Sequence, residues 1–312
     1  MEYQWYPGHM TKARRMMQEN IKLIDLVIEL VDARIPASSR NPDIDELGGG
    51  KPRLVLMNKA DLADERKTAA WVRYFEEQGC FVIPLDARSR NGMKSIDRKV
   101  ELACQEKIQR DRSRGILNRP VRAMVVGIPN VGKSTFINSF AKKAVAKTGN
   151  KPGVTKGKQW IRMSKTLELL DTPGILWPKM GDQQTGLYLA LIGSMNDEIL
   201  DPEKMALSLI TLLQEQYPGI IEKRYGFTDL VLSDEDEGMA IRMLEEIAKV
   251  RGCLKKGQEA DLTKAAGLLL EDFRSGRLGR ITLERIPAAE DTVEEEKSED
   301  EKQEDEKRED KK

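Results

Sequence analysis

Residues 127–134 read Gly-Ile-Pro-Asn-Val-Gly-Lys-Ser, a G-x-x-x-x-G-K-S spacing set between an apolar run at 121–126 and a stretch of helical periodicity. No other feature constrains the fold as much. A loop of this kind must leave the end of a buried strand and enter a helix, so that its backbone N–H groups turn inward on phosphate oxygens. The cradle comprises Asn130, Val131, Gly132, Lys133, Ser134 and Thr135. Lys133 would place a point charge at the β and γ phosphates, and the Ser134 hydroxyl is suited to hold Mg²⁺. The motif implies a nucleotide without saying which base.

The flanking sequence supplies a matching architecture. Upstream, short apolar runs at 25–32, 53–57 and 80–85 alternate with helical patterns at 10–23, 66–78 and 92–109. That alternation predicts an α/β fold with a mostly parallel sheet and helices on both faces. Two closely spaced strand-like runs at 158–163 and 166–170 predict an antiparallel hairpin. From about residue 183 the β pattern gives way to helical spacing at 187–194, 203–215, 238–250 and 262–275. Asp201-Pro202-Glu203 and Asp261 mark two helix starts, while Pro218-Gly219 and Gly252 read as breaks. The expected organisation is an α/β domain over 1–178, an all-α domain over 179–287 and a tail over 288–312.

Charge separates the tail from the body. Lys plus Arg and Asp plus Glu both total 52, yet residues 288–312 carry 13 acids and 6 bases, which leaves the body mildly basic. With Val293 as its one large aliphatic residue, the tail cannot offset the entropy of ordering and is expected to be disordered. Cys80, Cys104 and Cys253 show no paired spacing and fit thiols in a reducing compartment. The absence of an apolar leader and of a membrane-length apolar run predicts a soluble, cytoplasmic protein without membrane contact. No heptad seam suggests a coiled-coil dimer, and a monomer is expected.

The base is addressed by Asn58-Lys59-Ala60-Asp61, at the end of the apolar run 53–57. Guanine presents two adjacent donors that the Asp61 carboxylate can accept together, whereas adenine offers an acceptor there, so GTP is favoured over ATP. Asn58 would tie this loop to the phosphate loop, and the Lys59 stem would cover the base. Asp86-Ala87-Arg88 follows the next strand and can bring the Ala87 N–H to guanine O6. Asp171-Thr172-Pro173-Gly174 ends the run 167–170; Asp171 suits a water-mediated Mg²⁺ contact and Gly174 a sensor of the γ-phosphate. Thr155 is the expected second hydroxyl for Mg²⁺.

These residues resemble the GTPases of the Ras-like superfamily, but the base motifs precede the phosphate motifs, a circularly permuted order. Together with Trp5-Tyr6-Pro7-Gly8-His9-Met10 near the start and residues 252–284 near the end, the chain resembles the YlqF family over about residues 1–285. The resemblance implies a P-loop GTPase domain, GTP hydrolysis coupled to late assembly of the bacterial large (50S) ribosomal subunit, contacts with 23S rRNA and ribosomal proteins, and an all-helical RNA-contacting domain. One departure is Asp86, where related GTPases more often have Ser. Another is Ile175, where many GTPases carry a Gln that orients the attacking water. The resemblance points to His9, the only histidine, as the residue that positions water, and to Asn130 as a ligand for K⁺ beside the phosphates.

Permutation runs the switch ending at Gly174 directly into the helical region, which makes that region the expected output. Its basic clusters are Lys249, Arg251, Lys255 and Lys256 at one helix end and Arg274, Arg277 and Arg280 at the next. Few aromatics lie nearby, so structured RNA fits better than stacked single strands. Two other readings stay open: a stand-alone GTP-dependent enzyme acting on a small molecule, and a GTP-gated RNA-binding module.

Overall fold

Strand β1, Leu26–Asp32, is buried along its whole length, the signature of a central strand covered on both faces. Around it the computed structural model, which describes residues 15, 17–42, 44, 48–117, 119–141, 159–171, 183–195, 200–227 and 238–287, builds a six-stranded sheet. The other strands are β2 (Arg53–Asn58), β3 (Phe81–Pro84), β4 (Val121–Gly127), β5 (Gln159–Arg162) and β6 (Leu167–Asp171). Their spatial order is β3-β2-β1-β4-β6-β5, parallel throughout except for β5, which runs antiparallel to β6 as the hairpin pattern predicts.

The phosphate-loop strand β4 therefore sits between β1, which precedes it, and β6, which follows it in the chain. Register brings the motif-bearing strand ends to one edge: Asp32 pairs with Asn58, Leu30 with Gly127, and Val125 with Asp171. Ligands of open α/β sheets bind at such an edge, where successive connections leave on opposite sides.

Helix α1, Glu65–Glu77, is started by Asp64, whose carboxylate accepts from the Arg66 and Lys67 N–H groups, and buries Trp71 and Phe75 against the sheet. The helical pattern at 92–109 resolves into a 3-10 turn at Met93–Ser95 and two helices, α2 (Ile96–Ala103) and α3 (Gln105–Ser113). The break falls where Cys104 turns into the core, and α3 beyond it buries no side chain fully. Helix α4, Lys133–Ala141, leaves the phosphate loop. At the start of the chain, residues 15 and 17–20 are helical and Ile21–Leu23 tightens into a 3-10 turn.

The C-terminal region is helical, as its periodicity predicts: α5 (Gln183–Leu191), α6 (Pro202–Gln216), α7 (Ile220–Tyr225), α8 (Met239–Val250) and α9 (Leu262–Arg274). Asp201 and Asp261 cap α6 and α9. Helix α7 falls where the sequence shows only a break; Gly219 and Gly226, with φ of 80° and 79°, delimit it, and Ile221 and Tyr225 seat it.

One apolar cluster runs without interruption from the sheet into α6, α8 and α9. After α9 the chain returns to the sheet edge, where the Leu283 N–H donates 2.8 Å to Arg34 O and the Ile281 N–H 2.9 Å to Leu62 O. The expected boundary at 178 and the acidic tail at 288–312 lie outside the described residues. Among the described residues no helix is long and apolar enough to cross a membrane.

Candidate nucleotide site

The phosphate loop owes its shape to two glycines. Gly127 has φ of 151°, and a Cβ there would stand 2.6 Å from Leu30 O on β1. Gly132 has φ of 101°, and a Cβ would press into Asn58 Nδ2. Between them Asn130 holds a left-handed φ of 58°, and Val131 is fully buried. Lys133 opens α4 with its side chain buried; Nζ donates to Gly127 O at 2.9 Å and Ile128 O at 3.1 Å. The ammonium is thereby held inside the curl of the loop. Ser134 and Thr135 follow, half-buried, in the first turn of α4, where N–H groups lack helical partners.

The base-reading loops converge on the same place. Asn58 Nδ2 donates 2.7 Å to Val131 O, the tie between the two loops that the sequence led us to expect, and Asn58 Oδ1 accepts the Ala87 N–H at 3.0 Å. In this structure the Ala87 donor expected at guanine O6 is thus engaged by Asn58. Lys59 has φ of 59°, which turns its stem back across the phosphate loop so that Nζ reaches Asn130 O at 3.0 Å.

Asp61 is exposed, and its carboxyl is raised above its ordinary value by partial desolvation and by the nearby Asp86. Asp86 itself is lowered: burial works against its charge but is overcome by hydrogen bonds from Ser89 and from the Arg88 and Ser89 backbone. Its carboxylate caps the Arg88 N–H at 2.8 Å and the Ser89 N–H at 3.2 Å. Asp at this position thus does the loop-capping work open to a Ser hydroxyl.

Sequence reasoning missed a buried ion pair just below these loops. The Asp32 carboxylate is fully buried and takes two hydrogen bonds from the Arg34 guanidinium, Nε at 2.9 Å and Nη2 at 2.8 Å, and a third from the Arg34 backbone N–H at 3.1 Å, while Lys59 Nζ lies 2.9 Å from Oδ2. Burial would raise the Asp32 carboxyl, but Arg34 and Lys59 together hold it far below the carboxylate range. The signal was present: an acid and an arginine two residues apart at the end of a mostly apolar run. Arg34 also donates to Arg274 O at 3.3 Å and lies over the Phe273 ring.

The helical region touches the phosphate loop directly. Asn130 Nδ2 donates 2.8 Å to Gly193 O, and Ser194 Oγ donates 2.9 Å to Pro129 O. Arg274 turns inward to Leu191 O and Ala190 O, at 2.9 and 2.8 Å. It is therefore a clasp on the end of α5, and the expectation of a surface cation at this position is corrected. Arg277 pairs with Asp272 and Glu271, and Arg280 with Glu65. The other cluster is more open: Lys255 and Lys256 are exposed on a short hairpin between α8 and α9, Lys249 pairs with Glu246, and Arg251 stacks on Tyr225. His9, Thr155 and Gly174 lie outside the described residues, and Asp171 is placed by its backbone alone, beside Val125.

A phosphate loop on the central strand, joined to an N-K-A-D loop on the strand two places away, defines a guanine-nucleotide-binding P-loop GTPase. A family model described as "50S ribosome-binding GTPase" matches residues 122–225. The chain is 47% identical to ribosome biogenesis GTPase A of Bacillus cereus over 95% of this chain and 98% of that one. The corresponding Thermotoga maritima protein is 33% identical over 90% and 94%, and mouse mitochondrial ribosome-associated GTPase 1 is 35% identical over 91% of each. The GDP-bound structure of TM YlqF superposes with a TM-score of 0.62 at 27% identity, covering 87% of this chain and 99% of that one. The chain belongs to the ribosome biogenesis GTPase A (YlqF) family of circularly permuted GTPases, and it hydrolyses GTP in the service of ribosome biogenesis.

Proposed function

We propose that the protein binds the maturing 50S subunit through 23S rRNA, in company with ribosomal proteins, and couples GTP hydrolysis to a late assembly step and its own release. One observation carries this reading: the helical region that bears the Lys255 and Lys256 cluster and the phosphate loop share direct hydrogen bonds at Gly193 and Ser194, so a partner on the helices acts on the nucleotide site through a short path. Lys249, Arg251, Lys255 and Lys256 are the residues assigned to RNA phosphates, with Arg277 and Arg280 at the margin.

In the nucleotide site, Asp61 accepts guanine N1–H and N2–H, Lys59 covers the base, and Asn58 holds the loops together. The Ala87 N–H passes from Asn58 Oδ1 to guanine O6. Lys133 leaves the Gly127 and Ile128 carbonyls for the β and γ oxygens, while the N–H groups of Val131 to Thr135 line the phosphates. Register supports the metal assignment, since Asp171 ends β6 beside Val125 at the same sheet edge as Ser134. Ser134, Thr155 and Asp171 would hold Mg²⁺, which neutralises phosphate charge when bound. Asn130 retains Oδ1 for K⁺ while its Nδ2 holds Gly193. Gly174 senses the γ-phosphate, and His9 orients water once the subunit is engaged. The protein acts as a cytoplasmic monomer.

The deciding measurement compares GTP turnover with and without purified 50S subunits, together with co-sedimentation under GDP and a non-hydrolysable GTP analogue. Stimulation with nucleotide-dependent co-sedimentation is expected. Turnover unmoved by subunits and absence of co-sedimentation would sink the proposal.

A further inference from the structure

The contacts around the site form a closed circuit that leaves the phosphate loop and returns to it through the helical region. Lys59 Nζ spans from Asn130 O to the Asp32 carboxylate, which is locked to Arg34. Arg34 grips the end of α9 at Arg274 O. The Arg274 guanidinium holds the last carbonyls of α5, and the turn that follows returns to the loop at Asn130 and Pro129 through Gly193 and Ser194.

Each link has a physical reason to be definite. Ala190 and Leu191 lie in the last turn of α5, at the negative end of the dipole, so a guanidinium is favoured there; the Ala190 carbonyl accepts it beside the Gly193 N–H at 3.0 Å. Gly193 has φ of 77°, and a Cβ would meet the Arg274 guanidinium at 3.4 Å, so the turn packs directly on that cation. The Asp32–Arg34 pair excludes water, and removing either partner would strand a buried charge. Such a joint holds one arrangement and resists intermediate ones.

From this we infer that the seating of α5 and α9 on the phosphate loop sets guanine-nucleotide affinity, with Asp32 and Arg34 as positioning residues that transmit it to Lys59. The coupling depends only on nucleotide binding and does not require the ribosomal reading. It is distinct from the hydrolysis switch, because none of its links passes through residues 172–182 or through the γ-phosphate. It acts on GDP as well as GTP. Linkage then demands the reverse effect: bound nucleotide must tighten the α5–α9 clasp.

Ser194→Ala and Arg274→Lys remove single links at positions that the proposed site does not assign to nucleotide contact. Each is expected to weaken binding of a fluorescent GDP analogue by ~5-fold, about what one hydrogen bond contributes. Thr263→Ala removes a contact with Glu203 between α9 and α6, away from the circuit, and is expected to leave GDP affinity at the wild-type value. In the wild-type full chain, GDP is expected to slow amide exchange at residues 190–194, and in the two circuit variants that slowing is expected to shrink. Wild-type GDP affinity in both circuit variants would overturn the inference, as would an equal loss in Thr263→Ala. If a circuit variant fails to fold, exchange at 190–194 in the wild-type protein decides, and rates unchanged by GDP reject the coupling.

Discussion

Asn58 Oδ1 accepts the backbone N–H of Ala87 at 3.0 Å while Asn58 Nδ2 donates to Val131 O at 2.7 Å, so one buried amide joins three loops from three strands. Both ends of that amide are engaged by neighbouring loops, which makes Asn58 the joint of the base site. Asn58→Ala is expected to leave the sheet intact and to weaken GDP and GTP alike by ~10-fold or more, as the buried tie to Val131 O is lost, that carbonyl is stranded and the base loop is no longer anchored to the phosphate loop. Titration with a fluorescent guanine nucleotide, beside thermal unfolding of the nucleotide-free protein, separates the two effects. Retained affinity would show that the loops hold their places without it.

Asp61 is expected to set both base choice and pH response. With Asn there, the donor pair of guanine meets an amide that offers one acceptor and one donor, so GTP binding is expected to fall and xanthosine triphosphate binding to rise. The Asp61 carboxyl is raised by desolvation and by Asp86, and only its ionised form accepts both guanine donors. Guanine affinity is therefore expected to decline as pH falls through that raised value, earlier than an ordinary carboxylate would allow, and to be full above it. A pH series of GDP affinities shows this decline in the wild-type protein, and Asp61→Asn is expected to flatten it. An unchanged profile in the variant would assign the decline to another group.

How much of this could be read without coordinates differs by residue. The phosphate loop and the N-K-A-D loop were legible because each is a contiguous motif at the end of an apolar run, and six strands follow from period and spacing. The grip of Arg34 on the helical region was not, because its partner there, Arg274, lies 240 residues away. Arg274 was misread for a related reason: a cation near a helix end suggests an exposed charge, yet the negative C-terminal end of α5 draws it inward to the Ala190 and Leu191 carbonyls. Helix α7, six residues long between two glycines, carries too few apolar positions to show a period.

Among the cations assigned to RNA, Lys255 and Lys256 are expected to matter most, since they are exposed on the α8–α9 hairpin and no ion pair engages either among the described residues. Lys255→Ala with Lys256→Ala is expected to weaken binding to rRNA and to lower the salt slope of that binding by about two. Guanine affinity and intrinsic GTP turnover are expected to stay at wild-type values. Arg277→Ala should have a smaller effect, because Asp272 and Glu271 already neutralise it. Equal losses in the two variants would place the RNA face elsewhere.

The hydrolytic step makes the sharpest demand on the chain, because Ile175 carries no group that can orient water. Lys133 and the loop N–H groups can stabilise charge on the phosphates but do not position the nucleophile, so the water must be held from elsewhere, by another segment of the chain or by the subunit. His9 is the only imidazole in the sequence and stands in the Pro7-Gly8-His9-Met10 motif of the N-terminal segment. His9→Ala is expected to leave GDP and GTP affinity unchanged, to leave slow intrinsic turnover nearly unchanged, and to reduce subunit-stimulated turnover by ~100-fold, the lower range for a positioned acid–base group. Single-turnover hydrolysis on saturating 50S subunits checks this, with co-sedimentation confirming that the variant still binds. If the variant sediments normally and is stimulated as fully as wild type, water is positioned by the subunit itself.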